Sequence, residues 1–170
     1  MTCVIFYETM YKLASTRFSS DTYLDNSRYR ETRGIGCIYC SPIPTSEKYS
    51  RECRFFVLEM NNTTNQIMGI GLIQNTNKKD RTYIVYDMTQ IQYNYNRYIY
   101  KGDYWLSRDQ LPAEMVAIFD QILFKGKSHL KRSVGITVVS EKLFARWEYE
   151  QAPILQQIKQ LFMTAFELTL

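Results

Sequence analysis

The sequence predicts an α+β fold: a small, mixed, partly closed β-barrel with flanking helices and two further helices at the C-terminus. Three observations predict it. Roughly five to seven β-type runs fill the first two-thirds of the chain. One amphipathic helical pattern lies mid-chain, and two helical segments close the sequence. That much strand exceeds what a helical bundle accommodates. The 170 residues suffice for one domain with a real core but not comfortably for two. The reading is a single domain over 1–170, with the barrel core over about 1–139 and the C-terminal helices over 140–170.

In chain order, Cys3 to Tyr7 is β-branched and aromatic, a first strand. Residues 8 to 33 are polar and mixed, with weak helical spacing through Tyr7, Tyr11 and Ala14, and a helix is placed near 21–32 with Asp21 as its cap. Gly34 and Gly36 bracket a turn into a short strand, Cys37-Ile38-Tyr39-Cys40, which Ser41-Pro42-Ile43-Pro44 ends. The clearest β signal follows. Phe55 to Met60 and Gln66 to Ile73 flank the Asn-rich loop Asn61 to Asn65, which reads as a hairpin, with Gly69 and Gly71 on one face of its second strand.

Asn75 to Arg81 is a basic loop, Thr82 to Tyr86 a strand, and Arg97 to Leu106 a further strand; between those two lies the irregular aromatic stretch Gln90 to Asn96. Pro112 fits the first position of a helix, with Glu114 in its first turn. Met115, Ile118, Phe119, Ile122 and Leu123 then repeat at helical spacing before Gly126 stops it. Gly135 to Val139 is a short strand. Ser140 caps a helix to about Glu150, and Pro153 opens a last one through Ile154, Ile158, Leu161, Phe162 and Phe166.

Composition narrows the function classes. The apolar fraction is 45% and the charged fraction 22%, near globular averages. No apolar run reaches the length of about 18 residues that a membrane helix needs. Met1 to Phe6 is short and lacks a basic flank, so it does not read as a signal peptide, and an intracellular location is expected. In a reducing compartment the four cysteines stay thiols, and the sequons in Asn61 to Thr64 carry no glycan. Tyr, Asn and Ile are heavily used, a bias that an AT-rich coding sequence produces by itself. Net charge is +4, and its distribution is uneven. Lys125, Lys127, Lys131 and Arg132 fall within eight residues that hold no acid, and without them the remaining cations equal the 17 acids.

Catalytic constellations are hard to assemble. His129 is the only histidine, no Gly-x-Ser-x-Gly elbow exists, and no cysteine lies beside His129 in sequence. Cys37-x-x-Cys40 has half the spacing of a zinc site, which Cys53, Cys3 or His129 would have to complete. It sits in an apolar run, where cysteine acts as a small hydrophobe. Gly69-x-Gly71 lacks the remaining residues of a phosphate loop. Asp109 and Glu114 are most simply acids at a helix N-terminus. Neither an enzyme, nor a metal centre, nor a cofactor is expected.

Basic and aromatic residues make the stronger pattern. The segment Lys125 to Arg132 follows a helix end, and seven of the 14 tyrosines fall between Tyr83 and Tyr104, with Trp105 beside them. Aromatics that stack bases and cations that neutralise phosphates are the two ingredients of single-strand or modified-base recognition. The bland alternative is that lysines offset a helix dipole and that strand tyrosines merely fill a sheet.

Residues 34–73 resemble the core of the YTH and EVE domains of the PUA-like superfamily. The likeness runs through Gly36 to Cys40, Phe55 to Met60, the loop Asn61 to Asn65, and Ile67-Met68-Gly69-Ile70-Gly71. Leu106-Ser107-Arg108-Asp109-Gln110, just before a helix, is similar to the Ser-Arg-Asp segment of YTH domains. The chain also resembles proteins of giant DNA viruses, above all over Met60 to Ile73 and Lys125 to Gly135. The YTH resemblance implies a methylated adenine read in an aromatic cage. Ile38-Tyr39 occupies the position of one cage tryptophan in that family, so a different modified base or a methylated cap fits equally.

The expectation is a non-enzymatic, RNA-favouring reader of a modified nucleotide. Tyr39, Tyr98, Tyr100 and Trp105 would stack the base, and Lys125, Lys127, His129, Lys131 and Arg132 would hold phosphates. The first alternative is a structural or interaction protein of a virus particle or assembly, docking through the C-terminal helix. The second is a small zinc- or Cys/His-dependent nucleic-acid enzyme.

Overall fold

Phe55 to Met60, the strongest β signal in the sequence, runs through the middle of the larger sheet. The computed structural model describes residues 10–77, 85 and 96–170. The strands expected at Cys3–Tyr7 and Thr82–Tyr86, and the stretch Gln90–Tyr95, lie outside the described residues apart from Val85. The elements are β1 (Tyr11–Phe18), α1 (Ser20–Arg33), β2 (Cys37–Ser41), β3 (Arg54–Asn61), β4 (Gln66–Gln74), β5 (Tyr98–Gly102), β6 (Tyr104–Ser107), a 3-10 turn Arg108–Gln110, α2 (Ala113–Ile122), β7 (Thr137–Val138), α3 (Glu141–Ala145) and α4 (Gln151–Phe166).

The fold is mixed α+β. A five-stranded sheet has the order β6-β4-β3-β1-β7, and β2 pairs with β5 in a separate two-stranded sheet. β1 lies parallel to β3, while the other neighbours run antiparallel. Among the described residues the ladders do not close into a barrel.

Alternation along the central strands sorts the core into two layers. Phe56, Leu58 and Met60 face α2, α3 and α4, joining Leu13, Phe119, Phe144 and Phe162 in one cluster. Phe55 and Val57 face the small sheet, joining Ile38, Tyr39, Tyr100 and Ile73 in the other. Phe162 of α4 packs 5.1 Å from Phe56 and 5.7 Å from Phe166, centroid to centroid. Truncating such a ring costs about 3–5 kcal/mol. Ile154, Ile158 and Phe162 of α4 are all buried in this cluster.

Several elements differ from the sequence reading, each for a physical reason. β1 occupies part of the stretch read as polar: Ser15 and Thr16 are buried between β3 and β7, so no apolar alternation marks the strand. α1 starts one residue after Ser19, which replaces Asp21 as the cap. The Ser19 hydroxyl accepts from the Thr22 amide at 3.2 Å, and the Thr22 hydroxyl accepts from the Ser19 amide at 2.9 Å. The run Arg97 to Leu106 is two strands. Gly36 and Gly102 let the backbones cross closely there: a Cβ on Gly36 would collide with the Asp103 carbonyl, and one on Gly102 with that of Leu72. The chain therefore turns a corner at Asp103, leaving the small sheet and joining the large one. The helix expected to reach Glu150 stops at Ala145, because the chain enters the left-handed region at Glu148 (φ 62°).

Candidate nucleic-acid interface

The basic segment leaves the end of α2 as a folded loop. Leu123 and Phe124 are buried at its root, and the Leu130 amide donates back to the Leu123 carbonyl at 2.8 Å. Gly126 supplies the positive φ (78°) that reverses the chain, with Trp147 packed against it. The far side is pinned by the Lys131 carbonyl. It accepts from the Arg17 guanidinium at 3.0 Å and from the Asn62 side-chain amide at 2.9 Å. β1 and the β3–β4 turn therefore hold the loop by its backbone, leaving its side chains for other work.

Lys125, Lys127 and Arg132 are exposed, and His129 and Lys131 half-buried. Among the described residues none of the five forms an ion pair. His129 Nδ1 accepts from the Lys131 amide at 3.3 Å, which fixes the ring against the loop's own backbone. Arg17, exposed on β1, adds a fifth fixed positive charge beside the loop. Sequence reading missed it because Arg17 is 114 residues from its partner. The five residues expected to hold phosphates thus do come together on one loop.

The four expected stacking residues do not form an open cage. Tyr39 and Tyr100 are opposed in the β2–β5 ladder, but they are 0% and 1% exposed. The Tyr100 hydroxyl accepts from the Thr45 amide at 3.0 Å at the edge of a polar cleft shared with Tyr49 and Asn75. Tyr98 is half-buried, with the Arg97 guanidinium 5.3 Å from its ring centroid. Trp105, half-buried, carries the Arg30 guanidinium over one face at 4.5 Å.

Tyr39 and Trp105 instead converge on Glu59, a carboxylate with no exposed surface. The Tyr39 hydroxyl donates to Glu59 Oε1 at 2.7 Å, and Arg30 approaches the same oxygen at 3.4 Å. Burial pushes the Glu59 carboxyl above its ordinary range; Arg30, Tyr39 and the Trp105 indole pull it back only in part. Neither the indole N–H nor Glu59 Oε2 completes a hydrogen bond among the described residues. Gly69 and Gly71 make room for the cluster: a Cβ on Gly69 would stand 2.7 Å from the indole nitrogen, and one on Gly71 would collide with the Tyr39 hydroxyl. A lone Glu inside Phe-Phe-Val-Leu-Glu-Met was the sequence signal for this network.

The Cys37 thiol borders this network, beside the Tyr39 hydroxyl. Cys37, Cys40 and Cys53 are free and buried. Burial pushes Cys37 up to about 12 and raises Cys40 and Cys53 as well. In an extended strand Cys37 and Cys40 face opposite ways, so the pair cannot clasp one ion. No group of three metal-ligating side chains occurs among the described residues, and Cys3 lies outside them. The Ser107-Arg108-Asp109 segment is a latch: Arg108 donates to both Asp120 oxygens, at 3.1 and 2.7 Å, and to the Ile67 carbonyl at 2.8 Å.

Comparison with family models, curated proteins and solved structures returns no match. The site's own geometry therefore carries the functional argument. No helix among the described residues is long and apolar enough to cross a membrane.

Proposed function

We propose that this chain is a non-enzymatic nucleic-acid-binding module that grips the phosphate backbone, RNA first, with the loop Lys125–Arg132. One observation carries the reading. Lys125, Lys127, His129, Lys131 and Arg132 share a loop whose backbone is pinned by Arg17 and Asn62, with no acid within the segment and no ion pair among the described residues. A pinned loop loses less entropy on binding than a mobile one, and uncompensated cations gain from releasing the counterions of a polyanion.

Reading a methylated base or cap would fall to Trp105 and Tyr98, the two of the four aromatics with exposed surface. The corner at Asp103, where one run of chain passes between the sheets, supports the PUA-like, partly closed barrel reading. The viral reading rests on the sequence resemblance, and the intracellular one on the composition and on Met1 to Phe6. The test is titration of fluorescent single-stranded RNA, plain, N6-methyladenine-bearing and capped, against the chain and its Lys131→Glu/Arg132→Glu variant. Binding that strengthens with one modification and is lost in the variant supports a reader. Equal affinity of the chain and the variant removes the loop from the interface.

A further inference from the structure

The opposite end of α2 carries a second feature. A groove of about 630 Å³ runs between α2, the turn at 148–150 and α4 as far as Thr164. Its floor is apolar: Met115 and Ile154 are buried there, and Ile118 and Leu161 are half-buried. Its rim holds Glu114, Glu148 and Glu150, all exposed, and among the described residues no Lys, Arg or His lines it. None of the three carboxylates forms an ion pair among the described residues.

Glu148 sits in the left-handed region at φ 62°, closing α3 with the Tyr149 amide on the Phe144 carbonyl and its own amide on that of Ala145, both at 3.0 Å. Glycine is the favoured residue for such a cap, so the fold keeps a carboxylate on this rim where a more stable choice exists. Glu167, ending α4, has the same geometry without lining the groove.

We infer that this groove docks a basic, amphipathic peptide segment of a protein partner, with apolar side chains on Met115, Ile118, Ile154 and Leu161 and Lys or Arg against the three glutamates. Charge complementarity selects this occupant over an acidic or purely apolar one. The Glu114 end of the groove lies a helix length, ten residues or about 15 Å, from the basic loop, beyond the screening length of about 8 Å at physiological salt, while the Glu148 end adjoins Trp147, which packs on Gly126 of that loop.

The test uses a fluorescein-labelled helical peptide of Lys and Leu, a counterpart with Glu in place of Lys, and the intact chain. The Lys peptide is expected to bind and the Glu peptide not. Glu114→Gln/Glu148→Gly/Glu150→Gln should weaken binding about tenfold, the size that three exposed ion pairs reach together. Leu161→Lys should abolish it, and Lys131→Glu/Arg132→Glu should not weaken it. Glu148→Gly alone should weaken binding while raising the melting temperature by about 2–4 °C, a pairing that damage to the fold cannot produce. Equal binding of the two peptides, or full affinity in the triple variant, overturns the proposal. Self-association that the triple variant abolishes also overturns it, in favour of a second copy of the chain.

Discussion

Replacing Arg30 by Met leaves Glu59 buried beside a neutral side chain. The pair is 3.4 Å apart, with side-chain exposures of 7% and 0%. At an effective dielectric of about 20, its gross attraction is roughly 5 kcal/mol. The loss on removing Arg30 is smaller, because Glu59 can escape by taking up a proton. A carboxyl at the ordinary value of 4.5 costs about 3.4 kcal/mol to protonate at pH 7, and burial, which raises Glu59 above that value, makes its cost smaller. The Tyr39 hydroxyl, 2.7 Å away, still supports whatever charge remains.

The expected loss is therefore about 1–3 kcal/mol at pH 7, capped by that protonation cost. The sign of its pH dependence follows from the raised carboxyl. A carboxyl whose folded value lies above its unfolded one contributes stability that is fully present below 4.5 and lost as pH rises. Removing Arg30 raises that folded value further, so the penalty should shrink as pH falls from 7, by at most about 1.4 kcal/mol per pH unit, until Glu59 is protonated in both proteins. Urea unfolding of the protein, Arg30→Met, and Arg30→Met/Glu59→Gln at several pH values measures this. The double variant should show no such slope relative to the protein's other carboxyls. A loss under about 1 kcal/mol, or one equal at pH 5 and pH 7, would refute an ionised Glu59 held by Arg30.

Three further outcomes are expected. Gly71→Ala should destabilise by about 1–3 kcal/mol, because its methyl would meet the Tyr39 hydroxyl and stand 2.7 Å from Cys37 Sγ; thermal melts check it. Native Cys37, Cys40 and Cys53 should resist a thiol-reactive dye at mildly alkaline pH and react only on unfolding, since burial raises all three. Arg108→Ala should cost about 1–3 kcal/mol by freeing Asp120 and the Ile67 carbonyl, while leaving RNA affinity unchanged in the same titration.

The sequence was most legible where one face of an element is apolar. The hairpin β3–β4 and helices α2 and α4 follow from Phe55–Met60, from Met115 to Leu123 and from Ile154 to Phe166, because strand alternation and helical spacing report burial directly. α1 was located only roughly because its buried residues are Asn26 and Arg30. Their four-residue spacing is helical, but polar side chains give no hydrophobic signal. β1 was missed for a related reason, with Ser15 and Thr16 buried in mid-sheet. The basic loop could be read from local composition. The fate of the tyrosines could not, since whether a tyrosine is exposed depends on which strand it meets. Tyr39 meets Glu59 across 20 positions, and Tyr100 meets Thr45 across 55.

The salt dependence of RNA affinity tests the basic-loop grip most directly. With Arg17, Lys125, Lys127, Lys131 and Arg132 all engaged, log affinity against log salt should fall with a slope of about −3.5 on single-stranded RNA. The Lys131→Glu/Arg132→Glu variant should bind more weakly, with a slope shallower by about 1.4 or more. The same slope in both proteins, or no binding at low salt, would contradict the account and return the loop to the electrostatics of a helix end.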